Sequence, residues 1–527
     1  MPNRHISDKK AMGLIIAIIL ISFGALALSD EQADPYKKIG STLGYGTRVQ
    51  YYEVPEGYPK FEVRTRFIGN LRGTWHEMGI QYGKASGDLI RYAADSLWMD
   101  LSEEYGPEHL KEDIDRYAKA IDDYAPRMTQ FLKGIATGAS EELAQSPYKA
   151  EWSDFQMIIL INCFPSLDWM HPPLEYHKGK TTPIPKKRSM QVSPIMEEIA
   201  LACTGMALSG KSKLTPHGFL LSATKNGETI ITQNMDVGTF YPWGWNVSYV
   251  ATPSDPEANV FWSISTAGMA GGNNMIVNEK GLALGLYAGG WKGERPEDFS
   301  DPHDFGVNWQ PLFVYTIAYA DNVGEAIELL TLGSSEYRTK TGSKIVMHAG
   351  KWGYMVADPD EVAMVEVTSH RYAIRHPGDM KEAGNYVVYG NWNGSKFYFD
   401  ENNLRREVPP RLKPLSERTM ARYYAFDWHL RYHLGEVDIT MAQEMTGMTW
   451  LYDRKTGRRL DFAEDGIPIY LKQGTPCNFR NLNKGGTMWS SSAILRRNGK
   501  SQIWWTKGRP CEWLGPWDHI DFAGFIR

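Results

Sequence analysis

The chain has 527 residues, 42% of them hydrophobic and 23% charged, with a formal net charge of −5. This is a globular composition, long enough for one large domain or several ordinary ones. The small net charge and the lack of a dense Lys/Arg stripe exclude nucleic acid as a partner, and four cysteines are too few for a disulfide scaffold.

In chain order, Arg4, Lys9 and Lys10 precede an uncharged apolar run over residues 11–29, with Ala27 and Ser29 as small residues near its end. That layout is a signal peptide or a membrane anchor. Either one sends residue 30 onward across a membrane, so the protein is expected to be secreted, periplasmic or extracellular, or membrane-anchored. Two sequons start at Asn246 and Asn393, which matter only in a host that glycosylates. Residues 30–60 read as a polar linker. Leu110, Ile114, Tyr117, Ile121 and Tyr124 form one apolar stripe at helical spacing, with Gly106-Pro107 at its start and Pro126 at its end. A buried helix is expected from Asp154 into Ile161. Residues 164–195 lose periodicity and read as a Pro- and Lys-rich loop.

Beyond Cys203 the pattern turns to short β-type runs joined by tight links. Phe219 to Thr224 and Glu228 to Asn234 flank Asn226-Gly227, a hairpin signal. Further hairpins are expected around residues 278–281, 358–360 and 498–499, with one helix from Pro311 to Leu332 between them. Tight links require antiparallel neighbours, so the fold class is α+β, with antiparallel sheet layered against helices.

Residues 205–212, GMALSGKS, fit a phosphate-binding loop. The helix that such a loop must open is denied by Pro216 and Gly218, which fall within its first turns. His76-Glu77 begins like a zinc-protease helix, but Ile80 stands where the second histidine belongs. The thirteen histidines show no metal spacing, so neither metal nor cofactor is expected. Cys203 taken alone reads as a small buried hydrophobe.

Its surroundings change that. Residues 73–83 (GTWHEMGIQYG), Tyr124-Ala125-Pro126 with residues 132–139 (LKGIATGA), residues 159–162 (ILIN), Cys203-Thr204, residues 233–236 (QNMD), 278–283 (NEKGLA), 487–490 (TMWS) and 508–511 (GRPC) occur in that order. Together they resemble the acyl-coenzyme A:isopenicillin N acyltransferase-like proteins, which are relatives of choloylglycine hydrolases among the N-terminal-nucleophile (Ntn) hydrolases. The resemblance implies a four-layer αββα sandwich of antiparallel sheets, preceded by a helical N-terminal region and made as an inactive precursor. Cleavage between Ala202 and Cys203 would divide residues 61–202, a helical propeptide or α chain, from the catalytic residues 203–527. The freed amine of Cys203 would then take the proton from its own sulfur, so that one residue supplies nucleophile and base. A thioester forms on a small-molecule acyl amide substrate and is resolved by water or by an amine.

The resemblance also implies roles for neighbours. Asp236 would hold the cationic amine. Asn391, or Asn393 nearby, would stabilise the oxyanion, a type of contact worth roughly 3–4 kcal/mol elsewhere. Arg418 would support the site. Cys477 and Cys511 are disulfide candidates in an exported chain. Several features depart from the family pattern: Ala202 before the cut, Gln233 where many relatives have arginine, and extra length over residues 164–200 and 396–425. A phospholipase B-like acyl-ester hydrolase and a catalytically silent extracytoplasmic binding protein of the same fold are the alternatives.

Overall fold

The computed structural model describes residues 37–44, 47–53, 64–170, 203–216, 218–237, 245–273, 275–288, 306–350, 352–367, 372–390, 397–399, 405–407, 417–452, 458–461, 476–477, 486–506, 508–511 and 517–525. The apolar run 11–29, the Ala202 side of the expected cut, Asn391 and Asn393 lie outside them. No described helix is long and apolar enough to cross a membrane. Within the stretch expected as a linker, Lys37–Gly44 and Thr47–Glu53 pair as antiparallel strands.

Strand β1 (Arg64–Gly73) leads into four helices: α1 (Trp75–Tyr105), α2 (Pro107–Tyr124), α3 (Pro126–Leu143) and α4 (Asp154–Met170). Helix α2 buries the expected stripe of Leu110, Ile114, Tyr117, Ile121 and Tyr124. Helix α4 runs beyond residue 164, where a loop was expected, because Cys163 and Phe164 remain fully buried and keep the apolar segment in the core.

The resembling segments at residues 73–83 and 132–139 build scaffold. Thr74 caps α1, and Glu77 reaches back to the Thr74 backbone N–H, forming a capping box. Both amide atoms of Gln81 bond the Arg72 backbone, which clamps β1 to α1. Gly79 and Gly83 meet Gly134 and Gly138 where α1 crosses α3. A methyl group at any of the four would collide with the opposing backbone, so the crossing is possible only for glycine.

Most of the remaining strands join β1 in two large sheets. They are β2 (Thr204–Leu208), β3 (Thr229–Val237), β4 (Trp245–Pro253), β5 (Phe261–Thr266), β6 (Met275–Asn278), β7 (Ala283–Ala288), β8 (Trp352–Ala357), β9 (Val362–Val367), β10 (Tyr372–Arg375), β11 (Tyr386–Tyr389), β12 (Gly486–Leu495), β13 (Gln502–Trp505) and β14 (Asp518–Asp521). An eight-stranded sheet has the order β10-β9-β8-β7-β6-β5-β4-β1, and a six-stranded sheet has the order β11-β2-β3-β12-β13-β14. Every pairing in them is antiparallel except β1 with β4. The protein is thus a mixed α+β fold of antiparallel sheets, in which the N-terminal segment supplies an edge strand as well as helices.

Helices α5 (Trp309–Tyr319) and α6 (Val323–Thr331) pack on the eight-stranded sheet. Helices α8 (Glu417–Tyr432) and α9 (Ile439–Thr446) pack on the six-stranded sheet, and α7 (Ser335–Thr341) lies beside α2. The single helix expected over residues 311–332 is therefore two. Ala320 closes α5, and the Asn322 side chain caps α6 by accepting the Glu325 N–H. Asn278, in the hairpin between β6 and β7, donates to the Ile317 and Ala320 carbonyls and accepts from Lys280 and Leu282, locking turn and helix end together.

The hairpins at 278–281, 358–360 and 498–499 are present. The one expected at Asn226-Gly227 is not. Gly218–Leu220 pairs with Lys213–Thr215 instead, while β3 is flanked by β2 and β12. Strand β2 takes the ladder position that a local hairpin partner would have held. Residues 205–208 are strand and 213–215 are strand again, so no helix opens after Lys211 and the phosphate-loop reading is excluded by geometry.

Candidate active site

The strand β2 is buried on both faces. Alternate residues of the six-stranded sheet divide between two cores. Cys203, Ala207, Ile231, Met235 and Tyr389 join the large core that continues into the eight-stranded sheet, and Met206, Leu208, Ile230 and Val388 join the core beneath α8 and α9. This alternation sorts the site residues by face.

Cys203 stands at the head of β2, buried to 1% exposure. The β2–β3 register sets Thr204 opposite Asn234, and the Cys203 sulfur lies 3.5 Å from the Met235 sulfur. The thiol therefore points between the sheets. One step further along β3 is Asp236, on the face toward α8. Its Oδ2 accepts from Arg422 Nη1 at 2.8 Å, and its Oδ1 accepts from the Thr487 hydroxyl at 2.5 Å. Arg422 Nη1 also lies 3.5 Å from the Thr204 hydroxyl. The side chains of Asp236 and Arg422 are each 2% exposed. Buried charges of this kind persist only when paired and hydrogen-bonded.

Thiol and carboxylate thus occupy opposite faces of one sheet and do not meet. Thr204, the residue after Cys203, has its hydroxyl on the carboxylate's face, within reach of Arg422.

The remaining expected residues fare differently. Strand β11 pairs with β2, with Tyr389 opposite Gly205, so it runs toward the Cys203 end. Asn391 follows two residues later, outside the described residues. Arg418 lies in the first turn of α8, with its side chain outside the described residues. The arginine seen at Asp236 is Arg422, one helical turn further on. Thr487 and Arg422 were not singled out for roles beforehand. Arg422 shares a helix face with Arg418, so spacing could have nominated it, whereas Thr487 reaches Asp236 only through the β3–β12 register.

Gln233 is not a vacant substitute for an arginine. Its amide donates to Leu286 O at 2.6 Å and accepts from Leu286 N at 3.1 Å, stitching β3 to β7 across the two sheets. Asn234 donates to the Thr446 and Pro476 carbonyls. The latter adjoins Cys477, which forms a disulfide with Cys511, so the pairing left open by the sequence is present.

Such a site, a buried thiol heading a central strand with a carboxylate–guanidinium pair at the same strand end, defines a cysteine-centred α+β protein. No protein-family model matches the chain, and no curated protein sequence matches it. Among solved structures it is similar to a cysteine-to-alanine variant of conjugated bile acid hydrolase from Clostridium perfringens, with 10% identity over 61% of this chain and 93% of that one and a TM-score of 0.34. An arginine-to-leucine variant of the same enzyme gives 10% identity over 61% and 93%, with a TM-score of 0.33. Penicillin V acylase from Agrobacterium tumefaciens gives 13% identity over 60% of this chain and 86% of that one, also with a TM-score of 0.33. Likeness this distant carries nothing about activity.

Proposed function

We propose that the chain is a self-processing amide hydrolase or acyltransferase of the N-terminal-nucleophile type, with a four-layer αββα arrangement and Cys203 as nucleophile. The observation that carries this reading is the placement of Cys203: its thiol is buried between the sheets, its nitrogen heads β2, and the next residue, Thr204, has its hydroxyl 3.5 Å from Arg422 of the Asp236–Arg422–Thr487 cluster. Cleavage after Ala202 would turn that nitrogen into an amine. An α-amine has a pKa near 8 and a thiol near 8.5 as rough model values, so the amine can accept the sulfur's proton and the thiolate can attack an acyl carbonyl. Asp236, held by Arg422 and Thr487, would stabilise the resulting ammonium. Asn391 or Asn393 would supply the oxyanion donor, and Arg418 a further supporting charge. The chain would work outside the cytoplasm, delivered or anchored through residues 11–29.

Residues 61–202 and 203–527 would be the two products of processing. They would stay together, because β1 belongs to the eight-stranded sheet and α1 to α4 share the main core with both sheets. The test is a panel of N-acyl amides and acyl esters, assayed with the wild-type chain and with Cys203→Ala. Amide turnover by the wild type alone, with the variant remaining one uncut chain, is the expected result. Preference for the esters would move the assignment to the lipid acyl-ester reading, and normal turnover by Cys203→Ala would reject the nucleophile.

A further inference from the structure

The hairpin of Lys213–Thr215 and Gly218–Leu220 inverts the usual order of a sheet surface. Leu214 stands opposite Phe219, and Lys213 opposite Leu220. Directly opposed residues share a face, and so do alternate residues along a strand. Leu214, Phe219 and Leu221 therefore lie on one side and Leu220 on the other. Leu220 is buried, whereas Leu214, Phe219 and Leu221 are 76%, 65% and 52% exposed. No other stretch among the described residues exposes three large apolar side chains together. The hairpin pairs with neither large sheet. Two strands alone gain little stability in water, and this pair turns its apolar face away from the core.

One flank of the hairpin is basic. Lys211 and Arg497 share Asp360, and Lys213 pairs with Glu361. Exposed Lys225 sits on the turn that meets Gly210. Four cations thus face two carboxylates, while Arg496 and Glu228 neutralise each other nearby. Area and charge together decide what covers such a face. Even at about 200 Å² apiece, the payload of an aromatic ring, three side chains offer about 600 Å². A standard protein interface needs roughly 800 Å² per partner. A bilayer surface sets no such threshold, because apolar burial there adds to the attraction of basic residues for anionic lipid. The route of the chain agrees. Thr224, just past the hairpin, bridges Val437 at the entrance to α9, and Lys37–Gly44 packs against α9. That helix is roughly 12 Å long. Residues 30–36 extend to at most about 25 Å, enough to bring an anchor in the run 11–29 to the same plane.

We propose that Leu214, Phe219 and Leu221 dock the protein on an anionic lipid surface. The three side chains enter the interfacial layer, and Lys211, Lys213 and Lys225 reach the lipid phosphates along their flexible stems. This holds whatever the chemistry at Cys203. Strand β2 starts beside Cys203 and leads toward the hairpin, so docking turns the Cys203 end of the sheet away from the lipid.

The test places a polarity-sensitive fluorophore on full-length Pro216→Cys, at the exposed tip of the hairpin. Cys163 and Cys203 are buried, and Cys477 and Cys511 are bonded to each other, so the tip thiol reacts selectively. Glu151→Cys, exposed in the turn before α4, carries the same label as a reference. Vesicles of phosphatidylcholine with phosphatidylglycerol are expected to shift the tip emission to the blue and to leave the reference unmoved. Phosphatidylcholine alone is expected to shift the tip less. Adding Leu214→Ser, Phe219→Ser and Leu221→Ser is expected to abolish the shift, even where residues 11–29 hold the chain on the vesicle. A tip that ignores vesicles, an equal shift at both labels, a shift that survives the three serines, or an equal response to phosphatidylcholine alone would overturn the proposal. A blue shift that grows with protein concentration without lipid would give the face to a second copy of the chain instead.

Discussion

At the scale of single residues, the decisive contact is Asp236 with Arg422, a charge pair from which water is excluded. Arg422→Met would leave the carboxylate buried without its guanidinium partner, with the Thr487 hydroxyl still donating to it. Removing one member of a buried pair costs about 3–5 kcal/mol, so the denaturant midpoint should drop by that equivalent. An unchanged midpoint would mean that the pair is not closed in solution. The sequence made Asp236 legible because its strand-end pattern is local. It named Arg418 rather than Arg422, which lies one turn further along α8 and is the arginine seen at Asp236, since that placement depends on where the helix crosses β2 and β3. Gln233 was legible as a departure but not as a stitch, because its partner Leu286 lies in the other sheet.

At the scale of elements, the resembling segments on α1 and α3 act through packing. Gly134 is the sharpest case. Exchange for alanine would ordinarily favour a helix by roughly 1 kcal/mol, but here the methyl group would strike the His76 carbonyl on α1. Overpacking of this kind costs about 1–3 kcal/mol, so Gly134→Ala should lower the thermal midpoint; a raised midpoint would show that α1 and α3 do not touch there. Helix α2 was readable throughout because proline, stripe and proline agree. The break between α5 and α6 was missed because Asp321-Asn322 interrupts an apolar pattern that continues on both sides. The Asn226-Gly227 hairpin was misread because turn chemistry is local, whereas the ladder position beside β3 is filled by a strand from before the turn.

At the scale of the whole molecule, two constraints stand out. The disulfide between Cys477 and Cys511 closes a loop with a sequence separation of 34 beside the Asn234 anchor. Loop-closure entropy alone assigns it about 4 kcal/mol, so reduction should lower the denaturant midpoint accordingly, and an unmoved midpoint would mean that the bond adds no stability. The second constraint is that the segment before Cys203 and the segment after it build one core, which no local pattern in the sequence could convey. A chain cut after Ala202 would therefore remain a single particle until denatured. The most direct test is the intact mass of active protein under denaturing conditions. The account predicts two polypeptides, the larger beginning at Cys203, from a species that runs as one particle when native. A single polypeptide that spans residues 202 and 203 and still turns over substrate would contradict it.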